Sequence, residues 1–530
     1  MKRYLAILPV LAITLASACC CDDPVKPDDD QPKAPEAMEL SADELVFTTA
    51  DAGNLPLTIT APARPKVEIP SDAKSWLSLS DGVFKDYKIT VTINAAANST
   101  YEERSAMLTI SASGVSSRTV KVSQAAAEKP EQPVDPTPGA ADGLASFFGL
   151  GWNMGNHFDA YYNGSWAGEK EGYPDEEVWG GTKATQATFD GVKGFGFTSV
   201  RIPVSWLNMI GPAPDYKIDE TWMNRVYEVV QFAHNSGLKV IINTHHDENH
   251  GTSNSYEWLD IKNAANNSAL NETIKAKIKA VWTQIAQKFA DCDDWLMMES
   301  FNELNDGGWG WSEDFKKNPN KQAGILNEWN QVFVDAVRAT GGKNASRWLG
   351  VPSYCANPDF TKYMTIPADP AKKIAVSVHF YDPWDYTIGD AQYSDWGHTG
   401  AAGKKANGGD EDHVKQIFGM LYTNFVAKDI PVYIGEFGCS MRAQSDNRAW
   451  RFYLYYMEYI VKAAKTYHLP CFLWDNGAEG DGKEKHGYIN HGTGKAIGNS
   501  KTVLNVLKKA WFTEDEGYTL DFVYNSAPKF

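Results

Sequence analysis

The sequence predicts an α/β protein, a (β/α)8 TIM barrel preceded by a small all-β sandwich of immunoglobulin type. At 530 residues, the chain exceeds the size of one ordinary domain, so two or more domains are expected. Its first part contains short runs in which apolar and polar residues alternate, a pattern typical of half-buried strands. After Gly143, apolar runs of strand length alternate with amphipathic helical stretches, which favours a barrel of parallel strands.

The N-terminus has the features of an export segment. Lys2 and Arg3 precede a short apolar run, and the small residues 16–18 then precede Cys19. This pattern predicts a secretory signal over residues 1–18, and the run is too short to span a bilayer as a helix. A small-residue box before cysteine resembles a bacterial lipoprotein signal. That resemblance implies lipidation of Cys19, with Cys20 as a competitor, and anchoring at the outer membrane on the surface of a Gram-negative cell. Ordinary signal cleavage is the alternative.

Two stretches rich in proline and charge flank the predicted sandwich. Residues 19–37 are interpreted as a flexible tether and residues 127–142 as a linker. The intervening residues 38–126 resemble a BACON domain through Trp76-Leu77, the strand that ends at Asn94, Arg104, and the final run Val120 to Gln124. The resemblance implies carbohydrate or mucin binding. A rigid spacer is the alternative, and it is favoured because no exposed aromatic cluster is visible.

Eight strand-like runs define the predicted barrel over residues 143–512, and residues 513–530 form a C-terminal tail. The runs are Phe147–Asn156, Thr198–Trp206, Lys239–Asp247, Leu296–Glu303, Arg347–Tyr354, Ile374–Asp382, Val432–Gly438 and Cys471–Gly477. The predicted helices are Met223–Asn235, Ile274–Phe289, Asn327–Thr340, Val414–Val426 and Ala449–Lys465. A doubly wound open sheet is the alternative, but no glycine-rich phosphate loop follows the first strand.

Composition narrows the classes of partner. The net charge of −17 argues against nucleic acid and anionic membrane surfaces, so contact with a membrane is expected only through the lipid anchor. Aromatic residues make up 12% of the chain, which suggests stacking platforms for sugar rings. Beyond the N-terminal segment, the four cysteines Cys292, Cys355, Cys439 and Cys471 are far apart and form no metal-binding motif, so no metal or cofactor is expected. One disulfide or four buried thiols are both open. A monomer is expected.

Polar residues follow nearly every predicted barrel strand. They are Asn153 and Asn156, Arg201, His245-His246-Asp247, Asn302-Glu303, His379 and Tyr381, Glu436, and Trp474-Asp475-Asn476. A single such residue is more often structural, but the carboxyl ends of barrel strands meet on one face, where catalysis occurs. The two carboxylates of Glu303 and Glu436 therefore enter one cleft. A carboxylate pair suits hydrolysis of a glycosidic bond, and in the retaining reaction the two groups lie about 5 Å apart.

Residues 143–512 resemble glycoside hydrolase family 5. Asn302-Glu303 matches the acid/base motif of that family, and Ile434 to Gly438 matches its nucleophile motif. The resemblance implies that Glu303 is the general acid and then base, and that Glu436 is the nucleophile.

The same resemblance implies supporting roles around these two glutamates. Arg201 and Tyr381 would donate to Glu436, although Arg201 could instead pair with a structural carboxylate. His379 would orient the acid/base or contact the sugar, and Asn302 would bind the 2-hydroxyl. His245, and less strongly His246, would contact the −1 sugar above a Trp474 platform. The His245-His246-Asp247 cluster suggests a metal site, which we disfavour because no further ligand is apparent.

The segment Gly151 to Asn156, followed by Glu177 to Gly180, resembles subfamily 4 and adds Asn153 and Trp179 as supporting residues. His157-Phe158 departs from its usual pattern. The resemblance implies an endo-β-1,4-glucanase acting on xyloglucan, mixed-linkage glucan or soluble cellulose. The loop tryptophans Trp309, Trp311, Trp384 and Trp396 either line the cleft or are packing residues. A mannanase or xylanase on the same scaffold, a surface glycan-binding protein without turnover, and a metal-dependent hydrolase are the alternatives.

Overall fold

The described residues fall into two units, one within residues 1–129 and the other within residues 130–530. The computed structural model describes residues 33–98, 102–126, 140–164, 170–252, 254–389 and 393–530. The predicted signal peptide, Cys19 and most of the predicted tether and linker lie outside these residues, so those predictions stay predictions. None of the helices in the described part of the chain is both long and apolar enough to cross a membrane.

The N-terminal unit is a sandwich of two four-stranded sheets. Its strands are β1 (Glu39–Leu40), β2 (Glu44–Phe47), β3 (Gly53–Thr60), β4 (Lys66–Glu68), β5 (Leu77–Ser80), β6 (Lys88–Ala95), β7 (Arg104–Ser111) and β8 (Arg118–Gln124). One sheet has the order β1-β3-β6-β5 and the other β2-β8-β7-β4, with only β2 and β8 pairing in parallel. Alternate residues such as Leu57, Ile93 and Leu108 are fully buried between the sheets. The predicted all-β sandwich is confirmed.

Eight parallel strands of the C-terminal unit close into a barrel. They are β9 (Leu150–Met154), β10 (Ser199–Ile202), β11 (Lys239–Ile242), β12 (Leu296–Glu299), β13 (Leu349–Pro352), β14 (Ile374–Phe380), β15 (Val432–Phe437) and β16 (Cys471–Asp475). Each strand pairs with the next, and β16 returns to β9. The strands are buried on both faces, as expected for a parallel sheet covered by helices. The predicted (β/α)8 barrel is confirmed.

Twelve helices are described in this unit. They are α1 (Ala140–Phe148), α2 (Gln186–Gly194), α3 (Glu220–Asn235), α4 (Ile261–Ala264), α5 (Ser268–Lys288), α6 (Glu313–Lys317), α7 (Pro319–Ala339), α8 (Trp384–Thr387), α9 (Glu411–Asn424), α10 (Asn447–Thr466), α11 (Ser500–Phe512) and α12 (Leu520–Asn525). Short 3-10 turns lie at Leu207–Met209, Gly342–Ala345, Tyr354–Ala356, Pro358–Tyr363 and Val426–Lys428. All five predicted helices are present, but each begins earlier than expected, because a polar first turn adds nothing to apolar periodicity.

The predicted strand-like runs extend beyond the observed strands, by four or five residues at the ends of β10, β11 and β12, because the polar residues there lie in the loops that follow. Two further segments differ from the sequence prediction. Phe147 and Phe148, assigned to the first strand, end α1 instead, where Leu144 and Phe148 pack against Ile241 and Phe472 inside the barrel. The C-terminal tail forms α12, whose apolar residues join the main core of the barrel. A nine-residue helix and a six-residue helix offer too few turns for a helical period to be recognised.

The four cysteines beyond the N-terminal segment are free and buried. Burial raises the pKa of Cys439 to about 11, and it raises the pKa of Cys471 and Cys355 above the usual range as well. The interpretation as buried thiols is therefore the one that the structure favours.

Candidate active site

The predicted site residues meet at the carboxyl end of the barrel. Asn153, Arg201, His379, Glu436 and Trp474 lie on β9, β10, β14, β15 and β16. The others follow strand ends in the chain: His245 and His246 after β11, Asn302 and Glu303 after β12, and Tyr381 after β14. Closure of the barrel brings these widely separated segments to one cleft.

Arg201 connects four side chains in the centre of the site. Its Nε donates to Oε2 of Glu299 at 2.7 Å, and its Nη1 donates to Oε1 of Glu436 at 2.8 Å. Nη1 and Nη2 also donate to the amide oxygens of Asn153 at 3.1 Å and Asn302 at 2.9 Å. The guanidinium is completely buried. Both sequence interpretations of Arg201 therefore hold, because it pairs with the predicted nucleophile and with a second buried carboxylate.

That second carboxylate, Glu299, is a residue that sequence reasoning missed. Besides Arg201, it accepts from Asn243 at 3.1 Å, Ser377 at 2.6 Å and Tyr433 at 3.0 Å. An acidic residue inside the apolar run of β12 was a usable signal, because a buried carboxylate requires charged or hydrogen-bonding partners. Glu299 fixes the position of Arg201 rather than facing the cleft.

A register shift aims Glu436 into the cleft. Val378 pairs with Ile434, whereas His379 pairs with Glu436, so that Gly435 is an extra residue in β15. A Cβ atom at Gly435 would lie 3.0 Å from Oγ of Ser377 and 3.1 Å from Nε2 of His379, closer than side chains normally approach. Such bulges re-aim side chains beside active sites. Glycine therefore avoids crowding against Ser377 and His379 where the strand bulges.

Glu436 is held as an oriented carboxylate. Its Oε1 accepts from Arg201, and its Oε2 accepts from the hydroxyl of Tyr381 at 3.0 Å. Burial raises the pKa of Glu436, and the negative charge of Glu303 adds to that effect, while His379 and Arg201 oppose it. Two directed donors therefore leave the carboxylate with a fixed geometry toward the cleft.

Glu303 is paired with His379. Nδ1 of His379 lies 2.6 Å from Oε1 of Glu303, and Nε2 of His379 has no hydrogen-bond partner among the described residues. Burial and the nearby Glu248 carboxylate raise the pKa of Glu303 to about 7, despite opposing effects of Arg201, His246 and His250. Burial lowers the pKa of His379 to about 4. At neutral pH a neutral imidazole therefore orients a carboxyl group that is poised to hold or release a proton.

Aromatic rings line the cleft on one side of the two carboxylates. The His245 ring lies parallel to Trp474 at 6.0 Å, and His246 contacts His245 at 4.5 Å and Trp179 at 5.7 Å between ring centroids. A Cβ atom at Gly155 would lie 2.6 Å from the Trp474 ring, so glycine lets that ring approach the strand. The indole of Trp179 is 37% exposed. These rings form a continuous wall suited to stacking on sugars.

Not every predicted site residue faces the cleft. Asn153 is fully buried, and its Nδ2 donates to the carbonyl oxygens of Gly435 at 2.8 Å and Phe472 at 3.2 Å, so it positions Arg201 and β15. The amide oxygen of Asn302 accepts from Nη2 of Arg201 at 2.9 Å, so its Nδ2 is the group left for contact with a ligand.

The loop tryptophans fall into two groups. Trp396 is buried against Tyr456 of α10, so it is a packing residue. Trp309, Trp311 and Trp384 are exposed by 48%, 76% and 55%. Trp309 follows Glu303 in the same loop and contacts His250 at 5.5 Å.

The histidine cluster differs from the sequence prediction. Asp247 turns away from it and accepts hydrogen bonds from the backbone of Trp206 and Leu207 and from the Trp258 indole. Instead, Asp159 places a third potential metal ligand within 4.8 Å of atoms from His245 and His246, whereas none was apparent in the sequence.

The hydrogen bonds of Asp159 and His246 do not suit a metal site. Both oxygens of Asp159 already accept backbone N–H groups, from Asn156 and His157. Burial disfavours the charged form of His246, but Glu248 and Asp159 outweigh that effect and raise its pKa to about 9. A protonated imidazole between two carboxylates fits this arrangement better than a ligand of a metal ion.

Comparison with known proteins agrees with this geometry. The family described as cellulase (glycosyl hydrolase family 5) matches residues 159–480, and the BACON family matches residues 66–125. Endoglucanase A of Paenibacillus barcinonensis is 37% identical over 360 residues, which are 65% of this chain and 84% of that protein. The xyloglucan-specific endo-beta-1,4-glucanase BoGH5A of Bacteroides ovatus is 35% identical over 77% of this chain and 80% of its own length.

Among solved structures, the broad specificity GH5-4 endoglucanase from Bacteroides salanitronis is 48% identical, with a TM-score of 0.67 over 71% of this chain and 96% of that chain. The family assignment rests on three findings: the matches to two domain families, the closed barrel, and the pair of carboxylates in its cleft. The chain is a glycoside hydrolase that belongs to family 5 and carries a BACON domain before its barrel.

Proposed function

We propose that the chain is a retaining endo-β-1,4-glucanase in which Glu303 is the acid/base and Glu436 is the nucleophile. One observation carries this assignment: carboxylate oxygens of Glu303 and Glu436 lie within 4.8 Å of each other. Retaining glycosidases hold the two carboxyl groups about 5–5.5 Å apart, whereas inverting enzymes need about 6.5–9.5 Å to admit a water molecule.

In the first step, Oε2 or Oε1 of Glu436 attacks the anomeric carbon while Glu303 transfers its proton to the departing glycosidic oxygen. The C–O bond to the leaving sugar breaks, and an ester bond to Glu436 forms. The raised pKa of Glu303, about 7, keeps this proton available at neutral pH. The hydroxyl of Tyr381 and the guanidinium of Arg201 orient the attacking carboxylate.

In the second step, Glu303 is ionised and takes a proton from water, which attacks the anomeric carbon and releases Glu436. Both inversions together retain the configuration of the sugar. His379 supports both steps, because its Nδ1 can accept from the protonated Glu303 or donate to the ionised one, depending on the tautomer.

An endo mode of attack is supported by the aromatic side chains that lie near the two carboxylates. The rings of Trp474, His245, His246 and Trp179 contact one another, and Trp309, in the loop that follows Glu303, contacts His250. A series of rings longer than one sugar suits a polymer chain, and therefore cleavage within it.

Xyloglucan is the leading substrate, with mixed-linkage glucan and soluble cellulose also accepted. Support comes from the similarity to a xyloglucan-specific enzyme and to a broad specificity endoglucanase. A mannanase or xylanase on the same scaffold is the second candidate, because a fold does not determine its substrate.

The polymer preference can be measured with the chain lacking residues 1–18. We expect release of reducing ends from xyloglucan and mixed-linkage glucan, less from carboxymethyl-cellulose, and little from xylan or mannan. Glu303→Gln should lower these rates by about 10²–10⁴-fold, the usual contribution of a general acid. Activity confined to mannan or xylan would agree with the proposed mechanism but contradict xyloglucan as the leading substrate. Unchanged activity of Glu303→Gln would reject the assigned chemistry.

For the N-terminal unit, a spacer is the interpretation we favour. No aromatic side chain is exposed among the described residues of 33–126, and the large apolar residues exposed there are Val46, Val83 and Met107. Stacking platforms for sugars are aromatic, so this surface offers little for glycan capture.

We further propose that Cys19 carries a lipid that anchors the enzyme at the cell surface. Growth of an expressing Gram-negative host with an alkyne-labelled palmitate should label the full chain. Cys19→Ala should abolish the label, and Cys20→Ala should retain it. Label that survives Cys19→Ala but is lost in Cys20→Ala would move the site by one residue. No label in any of the three proteins would indicate ordinary signal cleavage.

A further inference from the structure

The loop between β11 and α4 contains a buried carboxylate that the proposed mechanism does not use. The side chain of Glu248 is only 3% exposed. Its Oε1 lies 3.5 Å from Nδ1 of His246 and 3.4 Å from Nε2 of His250. No lysine or arginine among the described residues forms an ion pair with it. A carboxylate buried without such a partner is costly, and its two neighbours are histidines.

Contacts lead from Glu248 to the loop that carries Glu303. Nε2 of His250 lies 3.3 Å from Nδ2 of Asn305, and this Nδ2 donates to the backbone carbonyl of Glu303 at 2.9 Å. The amide oxygen of Asn305 accepts from the backbone N–H groups of Gly307 at 2.7 Å and Trp309 at 3.3 Å. The position of Glu248 is thus coupled to the backbone of the acid/base and of the tryptophan beyond it.

From these contacts, and on the proposed role of Glu303, we infer that Glu248 is a positioning residue for the acid/base. It acts through His246 and His250, places a negative charge near the Glu303 carboxyl group, and braces the segment of residues 303–309. Glu248 does not touch the substrate in this assignment.

The charges around these groups determine the direction in which Glu248 shifts the pKa of Glu303. After burial, the Glu248 carboxylate is the largest influence that raises the pKa of Glu303, whereas Arg201, His246 and His250 lower it. Glu303 also faces His379 at 2.6 Å and influences Glu436, Tyr381 and Cys355. Glu248 itself is kept ionised, because His246 and His250 outweigh the effect of burial and lower its pKa. Its other charged or titratable neighbours are Asp247 and Tyr161.

The test is the dependence of kcat/KM on pH for xyloglucan. On the basic side, the rate falls as Glu303 loses the proton that it must donate. Glu248→Gln removes a negative charge, favours ionised Glu303, and should move this basic limb to lower pH by roughly half a pH unit or more. His246→Asn removes a positive charge and should move the limb to higher pH. Opposite shifts from two neighbouring substitutions are a result that simple disturbance of the loop would not produce.

Glu257→Gln is the matched control, because Glu257 is a buried carboxylate of the same loop that accepts from Asn254 at 3.2 Å. It should keep the wild-type profile. A basic limb that is unchanged in Glu248→Gln, or that moves in the same direction in both test variants, overturns the inference. If Glu248→Gln does not fold, as judged by circular dichroism, His246→Asn still tests the sign, because it should raise the limb. Wild-type turnover by Glu303→Gln would instead refute the proposed function itself.

Discussion

Replacement of Glu436 by glutamine is expected to reduce kcat by about 10⁶-fold, the order found when a covalent nucleophile is removed from a hydrolase. The amide carbonyl of glutamine still accepts from Arg201, and its NH₂ group can donate to the hydroxyl of Tyr381, so the two hydrogen bonds of Glu436 have replacements. The fold should therefore persist, while the group that forms the ester is lost. Initial rates on xyloglucan and circular dichroism measure both consequences.

Glu411→Gln is a suitable control for the loss of a buried carboxylate as such. Glu411 is buried on α9, where it bonds to His398 at 2.9 Å and Tyr455 at 2.7 Å, away from the cleft residues. This variant should keep the wild-type kcat at a temperature where it is folded. A Glu436→Gln protein that retains more than a trace of activity would show that Glu436 does not form the intermediate.

Reaction of alanine variants with azide distinguishes the nucleophile from the acid/base. With an activated aryl glycoside, Glu436→Ala leaves space on the nucleophile side, so azide should attack there and give an α-glycosyl azide. In Glu303→Ala, the ester to Glu436 still forms, and azide should open it to give a β-glycosyl azide. Exchange of these two products would exchange the roles that we assign.

The sequence was sufficient for the barrel and for the pair of carboxylates that meet in its cleft. Buried parallel strands are recognisable as apolar runs, and the polar residues Glu303 and Glu436 interrupt that pattern at strand ends. Their convergence then follows from the topology alone. The predicted contacts of Arg201 and Tyr381 with Glu436 are present in the structure.

The residues that hold Arg201 and the two carboxylates in place were harder to predict from the sequence. Glu299 is the last residue of β12, and its partners Asn243, Ser377 and Tyr433 come from the residue after β11, from β14 and from β15, so no spacing along the chain indicates them. Asn153 resembled a ligand-binding residue because it belongs to the motif Gly151 to Asn156 at the end of the first strand, yet it is buried beneath Arg201. The sequence also did not show which aspartate lies beside His245 and His246, because this depends on loop conformation. In the structure it is Asp159 rather than Asp247.

Replacement of Arg201 by methionine should destabilise the barrel by roughly 3–5 kcal/mol, the cost of breaking a buried ion pair by removing one partner. The guanidinium neutralises two buried carboxylates at once, those of Glu299 at 2.7 Å and Glu436 at 2.8 Å. Without it, both carboxylates remain in a site from which water is largely excluded. The free energy of unfolding in urea and kcat/KM should therefore decrease together.

The pH dependence of the free energy of unfolding distinguishes the loss of the Arg201 charge from a loss of packing. Removal of the cation takes away an influence that lowers the pKa of Glu436, whose burial already raises that pKa, so the folded state binds more protons and stability falls as pH rises. Arg201→Met should thus lose more stability at pH 8 than at pH 5.

Arg338→Met is the control, because Arg338 forms a two-bond ion pair with Asp369, at 2.8 and 2.9 Å, that does not include any residue of the cleft. It should lose stability without loss of kcat/KM in the folded protein. An Arg201→Met protein whose stability deficit is independent of pH, or whose kcat/KM stays within tenfold of wild type, would contradict a central electrostatic role for Arg201. The expected result would mean that the charge that orients the nucleophile is the same charge that makes its burial tolerable.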